Sequence, residues 1–86
     1  MKLNNKTGFE WDEIYISGPY YAVHTFAKNS SGDRVSAIVS MDGTTNRSRV
    51  EIKSKGLCVF EKFLNNFDAA KESAEEYLKA NSLQGE

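Results

Sequence analysis

One cysteine, Cys58, in 86 residues has no partner for an internal disulfide, and the chain lacks the paired cysteine spacing of a structural zinc site. One histidine, His24, rules out a two-histidine metal helix and ties any imidazole chemistry to a single side chain. With one proline and six glycines, collagen-like repeats and Pro-rich linkers are excluded. No apolar run approaches the ~20 residues of a membrane-crossing helix. A charge excess is missing too: 11 Lys and Arg stand against 12 Asp and Glu, so the chain is neither a polycation nor an acidic nucleic-acid mimic. The opening Met1–Lys6 has none of the hydrophobic stretch of a signal peptide, and a cytoplasmic protein with no membrane contact is expected.

What is present is an ordinary globular composition, 40% hydrophobic, 12% aromatic and 27% charged. A 9.6 kDa chain buries about 63% of its open-chain surface on folding, which predicts one small domain with one core over residues 1–86. Residues 1–9 are polar and aperiodic and predict a loose lead-in. Trp11, Ile14, Tyr15 and Ile16 predict a short strand ended by Ser17-Gly18-Pro19, and the aromatic and β-branched residues 20–28 predict a second. Val35, Ala37, Val39 and Met41 alternate with Ser36, Ile38 and Ser40, the two-residue period of a strand with one buried face, and Asp42-Gly43 predicts a tight turn. In the next strand Arg47, Arg49, Glu51, Lys53 and Lys55 take one face while Ser48, Val50, Ile52 and Ser54 take the other. Gly56 permits a turn into a last strand, Leu57–Leu64.

After Asn65-Asn66 the period changes to about 3.6. Phe67, Ala70, Ala74, Tyr77 and Leu78 fall on one stripe, and Lys71, Glu72, Glu75, Glu76 and Lys79 on the other side, predicting an amphipathic helix over 67–80 with a polar, frayed tail over 81–86. Asn66 or Asp68 supplies an N-cap acceptor. These pieces predict an α+β fold: an antiparallel β-meander of four or five strands over residues 10–64, with one C-terminal α-helix packed on one face.

Catalytic chemistry finds little to stand on. There is no Gly-rich phosphate loop, no metal-ligand spacing and no strand-turn-serine motif. His24 sits inside a strand, and Cys58, between Leu57 and Val59, reads as a small packed hydrophobe. Asp12-Glu13 and Glu75-Glu76 are adjacent carboxylates whose side chains diverge on a strand or a helix, so neither forms an acid/base dyad. No enzyme, cofactor or metal is expected.

Binding chemistry finds more. Residues 44–62 hold five basic groups and two acids, a local charge of +3, whereas residues 67–80 hold four acids and two bases. Arg47, Arg49, Lys53 and Lys55 recur ~6.6–7 Å apart along one strand face, a spacing that either follows an anionic partner or simply faces solvent. If Tyr21, Val23, Val39, Val50 and Ile52 line the helix-covered side, Tyr20, His24, Phe26 and Ile38 share the open side with that stripe. Aromatics interleaved with arginine compose a recognition surface; the competing assignment puts Tyr20 and Phe26 in a second small core under the first strand.

The run Phe63-Leu64-Asn65-Asn66-Phe67-Asp68-Ala69-Ala70-Lys71-Glu72-Ser73-Ala74-Glu75-Glu76-Tyr77-Leu78, following hairpin strands, resembles the strand-into-helix ending of small phage and prophage proteins. Over roughly residues 34–80 the chain is also similar to the sheet-plus-helix DNA-binding domains of the phage integrase arm-binding and plant ethylene-response types. That resemblance implies contact with a DNA groove through Arg47, Arg49, Lys53 and Lys55. The function expected from all this is a small non-catalytic binding protein, phage-encoded and inhibitor-like, docking its basic and aromatic sheet face on a host nucleic-acid-handling or defence complex in the host cytoplasm. A protein partner ranks before nucleic acid, with direct DNA or RNA binding by the same face as the alternative. The chain is expected to act as a monomer or as a homodimer through an edge strand.

Overall fold

The structure, a computed structural model, describes residues 9–12 and 14–85. Most of the expected lead-in, residues 1–8, and Glu13 of the first carboxylate pair lie outside the described residues. The elements are β1 (Tyr15–Ser17), β2 (Tyr20–Lys28), β3 (Arg34–Asp42), β4 (Arg47–Ser54), β5 (Leu57–Leu64), α1 (Phe67–Ala80) and β6 (Gln84–Gly85). Strands β1 to β5 pair antiparallel in chain order and β6 adds antiparallel to β2, so the fold is the α+β meander that the two periods predict.

Each alternating strand puts its apolar set under the helix. Val23 and Ala27 of β2, Val35, Ala37 and Val39 of β3, and Val50 and Ile52 of β4 form one cluster with Ala70, Ala74 and Leu78 of α1. Two alanines four residues apart let the helix backbone come close to the sheet, chiefly over β4 and β3. Aromatic pairs close the margins: Tyr21 meets Phe67 edge-on at 5.2 Å, and Phe60 stacks on Tyr77 at 4.6 Å. Asn66 caps the helix, its side-chain oxygen accepting from the Ala69 amide at 3.0 Å.

The turns follow from residue chemistry. Lys55 and Gly56, at φ 55° and 81°, form the two-residue hairpin between Ser54 and Leu57. The tight turn expected at Asp42-Gly43 is instead a four-residue loop, because the Asp42 carbonyl accepts from both Thr45 and Asn46 and Asn46 takes the left-handed φ of 57°. Gly43 donates its amide to the Pro19 carbonyl at 2.8 Å, and a Cβ there would sit 2.8 Å from the same oxygen. Gly43→Ala is therefore expected to separate the β1–β2 turn from the β3–β4 loop and lower stability by about 1–3 kcal/mol, read as a shift of the urea midpoint at constant slope.

Four expectations are corrected. Trp11 belongs to no strand; it lies in an extended lead-in where the Asp12 amide donates to the His24 carbonyl and Thr25 Oγ1 donates to the Glu10 carbonyl. Phe9, the last residue of the supposed loose segment, is 1% exposed and joins the main cluster. Glu75, assigned to the wet side of the helix, is buried and accepts from Trp11 Nε1 at 2.8 Å, while Lys71 stands 5.8 Å over the indole. Residues 81–85 of the tail are not frayed: the Leu83 amide returns to the Leu78 carbonyl and Ser82, at φ 61°, to that of Lys79, so Leu83 folds into the core and Gln84–Gly85 pair with β2.

Candidate interaction face

The helix occupies one side of the sheet, and the other carries the second set of every alternation. Rows across the strands follow from register. Tyr20 stands opposite Asp42, which stands opposite Arg47. Ala22, Ser40, Arg49 and Phe63 form the next row, then His24, Ile38, Glu51 and Glu61, then Phe26, Ser36, Lys53 and Cys58. Of the residues singled out from sequence, Tyr20, His24, Phe26, Arg47, Arg49 and Lys53 thus share one face. Lys55 sits beyond it in the β4–β5 turn. Tyr20 and Phe26 are 54% and 38% exposed, so no second core forms beneath them.

The cations on this face are not equivalent. Arg49 Nε donates to Glu61 at 2.7 Å and its Nη2 reaches both Glu61 and Glu51. The hydrogen bond to Glu61 and the nearby Glu51 charge raise the Arg49 pKa further, against partial desolvation, so this guanidinium is a fixed charge. Lys53 Nζ lies 3.9 Å from Glu51. Arg47 lies over a ring, 5.2 Å from the centroid of Phe63, and Arg34 also covers one, 4.3 Å from the centroid of Phe26.

Three participants were not assigned to this face from sequence: Arg34, Glu61 and Phe63. Arg34 has the parity of Ser36 and Ile38 on β3 but lies outside the β4 stripe; for Glu61 and Phe63 the cause is a bulge. The ladder runs Ser54↔Leu57 and Lys53↔Cys58, then skips Val59 to set Ile52 opposite Phe60. A ladder without the skip would put Arg49 opposite Lys62 and turn Glu61 and Phe63 toward the helix. The same edge location leaves Cys58 exposed rather than packed, its Sγ 3.5 Å from the Phe60 carbonyl.

Where the first two rows meet β5, a cleft of about 670 Å³ opens between Tyr20, Ser40, Asp42, Thr45, Arg47, Arg49, Phe63 and Asn65. Asp42 is engaged by its own loop: its Oδ1 accepts from Thr44 Oγ1 at 2.6 Å and from the Thr44 amide at 2.9 Å. These bonds, the hydroxyl first and the amide second, lower the carboxyl's pKa. A lowered folded-state pKa contributes stability that is present above the unfolded value and lost as pH falls through the folded one. The urea-midpoint difference between wild type and Asp42→Ala is accordingly expected at neutral pH and should close in acid below the usual carboxylate range. A difference independent of pH would mean that the charged form is not what holds the loop.

Among the described residues no group of three or more His, Cys, Asp or Glu side chains is placed to hold a metal ion, and no helix is long and apolar enough to cross a membrane. Comparison with protein-family models, curated proteins and solved structures returns no match.

Proposed function

We propose that this chain is a non-catalytic binding protein that docks its open sheet face on a protein partner. The observation that carries the reading is the composition of that one face: exposed Tyr20, Phe26 and Phe63 interleaved with Arg34, Arg47 and Arg49, on the side of the sheet the helix leaves uncovered. Tyr, Phe and Arg are the side chains that carry binding energy in protein interfaces. Protein is favoured over nucleic acid because Glu51 and Glu61 stand inside the basic stripe and neutralise it where a phosphate backbone would run. Occupying the partner's surface would then be the whole activity, as in an inhibitor.

The test is capture from a lysate with face-specific controls. A stoichiometric protein should be retained by wild type and by Glu72→Ala on the helix side, and lost by more than about tenfold with Tyr20→Ala and Arg47→Glu combined, at nearly unchanged melting temperature. Arg49→Glu is unsuitable, because it would set three carboxylates together. Equal capture by both variants sinks the reading. So does steeply salt-dependent binding to labelled duplex or single-stranded DNA, which would install the nucleic-acid alternative.

A further inference from the structure

We infer that the cleft at the Arg47 end of the open face is the anchor of that docking surface, and that it receives a carboxylate carried beside an apolar group on an acidic segment of the partner protein. The inference rests on the docking reading and adds the chemistry of its central contact.

Arg47 is the cation of the cleft with donors to spare. It makes no ion pair among the described residues, and its contact is the ring of Phe63 at 5.2 Å. The carboxylate opposite it in register, Asp42, is engaged by the hydroxyl and amide of Thr44. Its neighbour two residues on, Arg49, is engaged by Glu61 and Glu51. A guanidinium laid on an aromatic ring keeps its N–H edge available for the two oxygens of a carboxylate, and the ring limits the entropy lost on pairing.

The walls select what accompanies the charge. Tyr20 on β2 and Phe63 on β5 are half exposed, and their backbones stand three strand spacings apart, about 14 Å. That leaves room for a ring or aliphatic group between them, over Ser40 on the floor. Charge selects carboxylate over phosphate. One carboxylate matches the single uncommitted guanidinium, whereas a phosphate brings more negative charge toward Asp42, Glu51 and Glu61. A second copy of this chain offers exposed acids on its helix at Asp68, Glu72 and Glu76, but none of the exposed large hydrophobic side chains among the described residues lies on that helix, so these carboxylates lack the apolar neighbour that the walls select. A different protein is therefore the occupant.

The whole 15N-labelled chain is titrated with 3-phenylpropionate, with uncharged 3-phenylpropanol and with inorganic phosphate. For 3-phenylpropionate, the amides of Tyr20, Ser40, Arg47 and Phe63 should shift with a Kd in the low-millimolar range expected of a ligand of about eleven heavy atoms. Arg47→Met, which keeps the apolar stem, should raise that Kd at least about tenfold, and Lys62→Met, outside the cleft, should leave it unchanged. Equal shifts with the alcohol, tighter binding of phosphate, shifts elsewhere or no shifts at all would each overturn the carboxylate anchor. Sedimentation at rising concentration tests the second copy, and self-association lost with Arg47→Met would overturn the assignment to a different protein. The two readings fail separately. Capture lost with Phe26→Ala but kept with Arg47→Met preserves the docking face and removes the anchor; ligand binding at Arg47 without any face-dependent capture preserves the anchor chemistry and removes the docking face.

Discussion

Phe9→Ala is expected to lower stability by about 3–5 kcal/mol, the range for emptying a buried aromatic site. An 86-residue domain has only about 4–13 kcal/mol in total, so the variant should be partly unfolded at ordinary temperature or melt more than about 10 °C lower. The size of the effect comes from position. Phe9 is 1% exposed in a cluster whose other members are Val, Ile, Leu and Ala side chains, none of which can refill the space an absent ring leaves. Trp11, two residues on, ties the same segment to the helix through Glu75, so loss of the ring should also loosen that hydrogen bond. The lone tryptophan makes the measurement simple: urea unfolding followed by indole fluorescence, with Ile14→Ala, at an exposed side chain of the same segment, as the control expected within about 0.5 kcal/mol. A Phe9→Ala loss under 1 kcal/mol would mean that the segment lies on the core without completing it.

The contrast between Phe9 and Val39 shows where sequence is informative. Val39 lies in a nine-residue alternation, and once one face is buried the parity of every neighbour follows, which is why β3, β4 and the shared face of Tyr20, His24 and Phe26 could be read directly. The helix stripe is equally legible, apart from Glu75, whose charge marks it as solvent-facing unless a half-buried indole N–H is known to need an acceptor. Phe9 and Leu83 had no such periodic context. Each is a single apolar residue in a polar stretch, and each is buried because the chain beyond an element folds back on the sheet or the helix end, a tertiary event with no local signature. For the interaction face, the stripe on β4 and the Glu51 within it were visible, but the second neutralising carboxylate was not. The Arg49–Glu61 pair depends on which side of β5 faces out, and one skipped residue decides that.

Deleting Lys62 should therefore have the largest effect on the site. Glu61 stays opposite Glu51, but Phe63 then takes the place opposite Val50 and turns toward the helix, while Leu64 takes the place opposite Arg49 and leaves the margin of the core. Arg47 loses the ring beneath it, and the link into α1 is one residue short. The expected result is a loss of about 2–5 kcal/mol, the range for removing a leucine from a core, with face-dependent capture down more than about tenfold. Deleting Val59 is the matched control. Val59 is the residue the ladder skips, so its removal makes the strand regular with Phe60 still opposite Ile52 and Phe63 still opposite Arg49, and should change stability by no more than about 1 kcal/mol while leaving capture intact. Amide exchange separates a changed register from an unfolded strand, since the β5 amides remain protected only if their ladder to β4 survives. A Lys62 deletion that is as stable as wild type and retains full capture, or a Val59 deletion that loses capture, would show that the register of β5 has no part in presenting Phe63 and Glu61 beside the arginines.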